Sequence, residues 1–317
     1  PLPYDDNTVV IADEPQRTQI EAEEPDGAGA AASSFADTRY PVYRSGKAVI
    51  DVLLYYDSAL EDPEADLDYM VELGNYILSV TEANTEIRVV EAIQVEVPAS
   101  LTNGDILDVL TSELDIAEQR AFYKADLVHI VRATTPETVN SGNCGVAYLT
   151  VSGGLAERGT TNAGVTQWSE QYCYPETFIH EIGHNLGLAH NREELDGGFS
   201  IFAAYDYSYG KLQPGSFGTV MAYRVPTEDL APFSSPAYYC NGYRCGESSS
   251  SSRSADNRRS ILNTRYLVAG YAGRDFYHES VQVEAWYGSC IDNPFGQFGG
   301  VYLRNSSSHT VPIHGVT

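Results

Sequence analysis

The stretch His180-Glu181-Ile182-Gly183-His184-Asn185-Leu186-Gly187-Leu188-Ala189-His190 places three histidines and a glutamate at a spacing that a helix followed by a turn makes useful. On an α-helix, positions i and i+4 share a face, so His180 and His184 aim at one point a turn apart. Glu181 is displaced by about 100° around the axis and stands beside that point rather than on it. A carboxylate so placed can take a proton from a water activated by a metal ion and pass it to a leaving amine. Gly187 lets the backbone leave the helix through positive φ, and the turn brings His190 round as a third ligand. Three neutral imidazoles leave one tetrahedral position open, which is the coordination of a catalytic zinc and not of a structural one. The pattern therefore predicts one zinc ion on His180, His184 and His190, with Glu181 as general base.

Downstream lies Gly218-Thr219-Val220-Met221-Ala222-Tyr223. With the HExxHxxGxxH frame of the first stretch, it resembles the Met-turn of the metzincin metallopeptidases. The resemblance implies that Met221, one of only two methionines in the chain, forms an apolar floor beneath the histidines. Tyr223 stands where some metzincins carry a tyrosine that binds the metal or the oxyanion. Its phenol either donates to a tetrahedral intermediate or simply packs.

Upstream the pattern becomes regular. Residues 48–56 (AVIDVLLYY) read as a strand buried on both faces. Asp62-Pro63 supplies an N-cap and first-turn proline for a helix through Leu67, Met70, Val71, Gly74, Ile77 and Leu78. A strand at 86–97 follows, then a single helix over 103–123 with Ile106, Leu107, Leu110, Leu114, Ala117 and Ala121 in one stripe. Residues 126–132 (DLVHIVR) form a third strand, in which His129 reads as a core histidine. This alternation implies right-handed crossovers and a largely parallel sheet with helices packed on it.

Two further short strands, 144–151 (CGVAYLTV) and 164–168 (GVTQW), precede the histidine stretch. They resemble the segment where metzincins place an antiparallel edge strand at the upper rim of the cleft. An unpaired edge can take up an extended peptide through main-chain hydrogen bonds, which makes Gly145, Val146, Ala147 and Tyr148 substrate-binding candidates. The alternative is an ordinary edge protected by its neighbours. The expected fold class is thus α/β (α+β), a metzincin-like domain with a twisted mixed sheet, mostly parallel plus an antiparallel edge strand.

Residues 46–272 make up that domain. Residues 1–45 are acidic, rich in small residues and Pro, and read as a solvated tail or as a pro-segment remnant across the cleft. Residues 273–317, with strand-like 281–286 and 300–303, read as a C-terminal β extension or the start of a truncated module. The loop after His190, residues 191–198, carries carboxylates that could hold calcium or simply face solvent. Residues 226–236 and the serine run 248–252 read as loops, and 254–271 as a helix under the site.

The 317 residues include 44 acidic and 19 basic side chains, a formal net charge of −25 that repels phosphate backbones and argues against nucleic-acid partners. No apolar run approaches the roughly 20 residues of a membrane span. Five cysteines without a Cys-x-x-Cys pair suggest disulfides and an oxidising, extracellular setting, with Cys144–Cys173 and Cys240–Cys245 as pairs and Cys290 left over.

Across about residues 46–272 the chain resembles the peptidyl-Asp metallopeptidases and, more loosely, the reprolysin-like group. The resemblance implies a secreted zinc endopeptidase that cleaves before acidic residues. Arg224, directly after Tyr223, is the cation nearest to hand for such a pocket, or else pairs with a neighbouring carboxylate. Asn191 departs from the family, many of whose members carry an acidic residue after the third histidine; this predicts looser support for the site. A latent precursor with a blocked cleft and a silent binding module are the competing functions. Protonation of the ligands predicts loss of activity below about pH 6.

Overall fold

The computed structural model describes residues 4–10, 46–134, 143–149, 163–168, 173–195, 203–223, 228–272, 281–287 and 299–305. The chain divides into two units, Pro1–Ala272 and Gly273–Thr317.

The first unit is built on a six-stranded sheet: β1 (Tyr4–Val10), β2 (Ala48–Asp57), β3 (Thr85–Glu96), β4 (Leu127–Ala133), β5 (Gly145–Ala147) and β6 (Ala163–Trp168). Their spatial order is β1-β3-β2-β4-β6-β5. All neighbours run parallel except β5, which pairs antiparallel with β6 through Gly145–Thr166, Val146–Val165 and Ala147–Gly164. This is the mixed, mostly parallel sheet with an antiparallel edge. Central β2 is buried along nearly its whole length, as its continuous apolar run requires. Its two acids, Asp51 and Asp57, are buried too, and the Arg88 guanidinium grips Asp51 with two bonds of 2.7 and 2.8 Å. Tyr4–Val10 adds a strand within a segment whose composition shows little periodicity, at the end of the sheet opposite β5.

Helix α1 (Pro63–Val80) starts as its sequence dictates, with Asp62 capping Ala65 N and Pro at the first helical position. It buries Leu67, Met70, Gly74, Ile77 and Leu78. The 103–123 segment is not one helix. It breaks at Glu113 (φ −77°, ψ 126°) into α2 (Asn103–Ser112) and α3 (Leu114–Tyr123). Thr111 spends its hydroxyl on the carbonyls of Leu107 and Asp108, a side-chain bond that competes with the helical ladder just before the break. The reorientation turns Ile116 into the core and leaves Ala117 and Ala121 exposed, against the expected stripe. Ile106, Leu107, Leu110 and Ile116 pack with Leu53, Tyr55, Val128, Ile130 and Val165 from the sheet in one apolar cluster.

The histidine stretch forms α4 (Thr177–Asn185), and α5 (Asn257–Val268) backs it: Thr264 Oγ1 donates to the Leu186 carbonyl at 2.9 Å. Disulfides join Cys144–Cys173 and Cys240–Cys245. Within 226–236, Asp229–Ala231 is a strand pairing with Phe217–Thr219 rather than loop. Arg224, Cys290, all of 11–45, residues 150–151 and the end of the possible calcium loop lie outside the described residues. The second unit carries an antiparallel hairpin of Val281–Tyr287 and Gly299–Asn305.

Candidate metal centre

Helix α4 ends in a tight reversal. Gly187 takes φ 87°, a left-handed value that a residue with a Cβ adopts only with strain, and the short strand Ala189–Asn191 follows at once, paired with Tyr209–Gly210. The reversal folds His190 back over the helix. His190 Nε2 then lies 3.1 Å from Nε2 of both His180 and His184.

The second ring nitrogens explain what these contacts mean. His180 Nδ1 is 2.7 Å from the Val220 carbonyl, and His184 Nδ1 is 2.8 Å from that of Leu188. A carbonyl only accepts, so each Nδ1 carries its ring's proton and each Nε2 turns a lone pair inward. Two lone pairs facing the same third nitrogen repel unless a cation stands among them. Zinc–nitrogen bonds of about 2.0–2.1 Å in a tetrahedron set the nitrogens roughly 3.3 Å apart, close to what is found. The donor set thus fits a zinc ion, and among the described residues this triad is the one cluster able to hold a metal.

Burial drives the imidazoles toward neutrality. The pKa of His184 is pushed down to about 3 by burial, with neighbouring His180 adding to it; His180 and His190 are lowered for the same first reason. Burial thus extends their neutral, ligating form below the pH expected from a free imidazole. Glu181 goes the other way: at 4% exposure its carboxyl is held well above the usual range by burial, and its Oε2 has no hydrogen-bond partner among the described residues.

Met221 is fully buried against α4, where a Cβ on Gly183 would stand 2.5 Å from its sulfur. Tyr223 is half exposed, and its ring lies on that of His190 with centroids 4.2 Å apart. Asn191 is wholly buried. Its Oδ1 accepts from Tyr223 N at 2.9 Å, and its Nδ2 donates to Glu193 at 3.1 Å. The asparagine therefore ties the strand of the third histidine to the Met-turn instead of loosening it. An aspartate could still accept from Tyr223 but would repel Glu193.

Gly145, Val146 and Ala147 form β5, whose outer edge has no strand partner among the described residues. Tyr148 follows, its hydroxyl donating to Asp108 at 3.2 Å. Asn185, inside the histidine stretch, was not among the expected site residues, yet it reaches across to donate to the carbonyls of Tyr148 (2.8 Å) and Ala163 (3.1 Å). A polar residue on the inward side of a helix is the signal that marks it. His129 is a buried sheet histidine, 2.9 Å from Thr166 Oγ1 and edge-on to Phe178 of α4.

Residues 65–191 match the model of the reprolysin-like domain of metallo-peptidase family M12B. That reprolysin-like region runs from α1 through the third histidine. Over 205 residues the chain is 28% identical to a peptidyl-Asp metalloendopeptidase of Pseudomonas aeruginosa, a stretch covering 58% of this chain and 34% of that protein. The chain thus spans about a third of the curated relative it matches. A solved structure described as a chaperone-substrate complex is similar over 71% of this chain and 35% of its own, at a TM-score of 0.54 and 22% identity, a likeness of fold alone. Metalloproteinase-II from Bacteroides fragilis covers 52% of this chain and 50% of its own at 18% identity, with a TM-score of 0.32 that supports nothing further.

Proposed function

We propose that the chain is a zinc-dependent endopeptidase acting on extended peptide segments, with Glu181 as general base. The observation that carries this reading is the convergence of three inward-facing Nε2 atoms beside a buried carboxylate. The reprolysin-like match and the metalloendopeptidase relative support it. His180, His184 and His190 would hold a zinc ion, whose Lewis acidity would be available to the scissile carbonyl and the attacking water. Glu181 takes a proton from that water and hands it to the departing nitrogen. A carboxyl whose pKa is raised by burial suits a group that must hold a proton between two transfers. The Tyr223 phenol, already beside His190, donates to the oxyanion as charge develops there. The free edge of β5 pairs with the substrate main chain, which fixes the scissile bond without demanding a sequence.

The relative is named for cleavage at Asp, and we extend a preference for bonds before acidic residues to this chain, with Arg224 as the cation that would meet the acid. Two disulfides fit export to an oxidising compartment. Among the described residues no helix is long and apolar enough to cross a membrane. A cleft blocked by the N-terminal segment gains nothing from Tyr4–Val10, which joins the sheet at the edge opposite β5.

The test is incubation of the purified chain and its Glu181→Ala variant with a denatured protein, with and without a zinc chelator, followed by mass-spectrometric mapping of new termini. Cleavage lost in both the variant and the chelated sample, with termini beginning at Asp or Glu, is the expected result. Cleavage that survives the Glu181→Ala change overturns the mechanism.

A further inference from the structure

Among the described residues Glu181 Oε2 has no hydrogen-bond partner, and the side chain is almost wholly enclosed. Its position is therefore set by the walls around it. One wall is the backbone of β5. A Cβ built on Gly145 would lie 2.3 Å from Glu181 Oε1, 2.7 Å from Cδ and 2.8 Å from Cγ. Because the clash runs from Cγ to the oxygen, rotating the carboxylate alone cannot relieve it.

Gly145 is not there for its backbone. Among the described glycines only Gly187, Gly215 and Gly242 have positive φ, so Gly145 sits where any residue could. What it provides is space. Neither partner in the contact can retreat. The entry to β5 is fixed by the Cys144–Cys173 disulfide, by Gln167 N donating to the Cys144 carbonyl at 2.7 Å, and by Asn103 and Gln167 side chains donating to Asn143 at 2.9 Å each. Its exit is held by Asn185. Behind Glu181, α4 rests on Met221 at Gly183 and on α1, where Ile179 fills the space that Gly74 leaves.

We propose that Gly145 is a positioning residue for Glu181: the bare backbone of the edge strand seats the carboxylate, so one strand sets both the register of the substrate and the place of the base. This rests on the peptidase reading for the word base, but the seating itself concerns only the protein.

Four proteins test it: wild type, Gly145→Ala, Glu181→Asp and the double variant. Shortening the acid by one methylene withdraws its carboxylate from the added methyl. In the metal-free proteins, Gly145→Ala should lower Tm by several degrees, and the loss should shrink markedly in the Glu181→Asp background. In the zinc-loaded proteins, Gly145→Ala should lower kcat about 10²-fold, as misplacement of a reacting group by about 1 Å does. KM and zinc affinity, read by chelator competition, should stay within about twofold of wild type, and the kcat penalty too should shrink beside Glu181→Asp. Equal Tm losses in both backgrounds, failure of Gly145→Ala to fold in both, or an unchanged kcat would overturn the proposal. A wild type that binds zinc but cleaves nothing overturns the peptidase reading instead, and the metal-free Tm cycle still decides whether Gly145 seats Glu181.

Discussion

Helix α4 and its turn assemble three ligands from eleven consecutive residues, 180–190, whereas β5 has three residues and is held by side chains 37 and 40 positions away in the chain. Both regions face the same carboxylate. The first is a local construction: helical spacing puts two imidazoles on one face, and a single left-handed glycine returns the third. The second is a clamped edge whose place depends on a disulfide, two asparagines and a glutamine from other elements. A site built this way should fail in two distinguishable manners, by losing the metal or by losing the geometry around it.

The largest effect should come from the local half. His184→Ala removes a ligand and leaves two inward lone pairs, so bound zinc, measured by elemental analysis after dialysis, should fall from one equivalent to well below half. Peptidase activity should drop by at least about 10³-fold, since the Lewis acid goes with the metal. Retention of one tight zinc would show that the triad is not the metal centre.

Next is the floor beneath α4. A Cβ on Gly183 would stand 2.5 Å from the Met221 sulfur. Gly183→Ala should therefore cost about 1–3 kcal/mol by overpacking, measured by chemical denaturation. Part of that loss should return on Met221→Ala, because the thioether is what the methyl meets. Without such recovery, the loss would have to come from elsewhere in the helix.

The edge half is broken by removing its covalent tie. Replacing Cys144 and Cys173 with serine opens a link of sequence separation 29, and the lost constraint should cost ~2–4 kcal/mol by the chain-entropy argument. Activity should fall while zinc affinity holds, because the tie secures β5 and not the histidines. The Cys240–Cys245 link, of separation 5, should cost less when opened the same way. Loss of zinc on opening Cys144–Cys173 would erase the distinction between the halves.

The effect that is smallest at neutral pH is a pH slope from beneath α4. Burial pushes the pKa of His129 down to about 3. The unfolded chain takes up that proton near pH 6.5 while the folded chain does not, so stability falls as pH drops from about 6.5 toward 3, by up to about 1.4 kcal/mol per unit. A His129→Gln variant, less stable at pH 7, should close the gap to wild type as the buffer is made more acidic. A gap that stays constant with pH would show that His129 does not resist protonation in the fold.

Much of the frame was legible in the residues. The unbroken apolar run of β2, the Asp62-Pro63 start of α1 and the alternation of strand and helix gave a mostly parallel sheet, and the antiparallel edge came with the metzincin resemblance. The break at Glu113 was not legible. The apolar positions on either side keep a continuous helical period, and the event that decides it, Thr111 bonding back to Leu107 and Asp108 while Ile116 turns inward, depends on the sheet below. Asn191 shows the same limit at the site. By type it looked like weakened support; by position it holds the Met-turn to the third ligand's strand.

The sequence by itself determined the metal centre, because helix geometry converts a spacing of four and a turning glycine into converging nitrogens with no help from distant residues. Tertiary structure alone decided what locks the His180 ring, the carbonyl of Val220, and why position 145 carries no side chain. Those contacts join segments far apart in the chain, where spacing carries no information and only packing decides what fits.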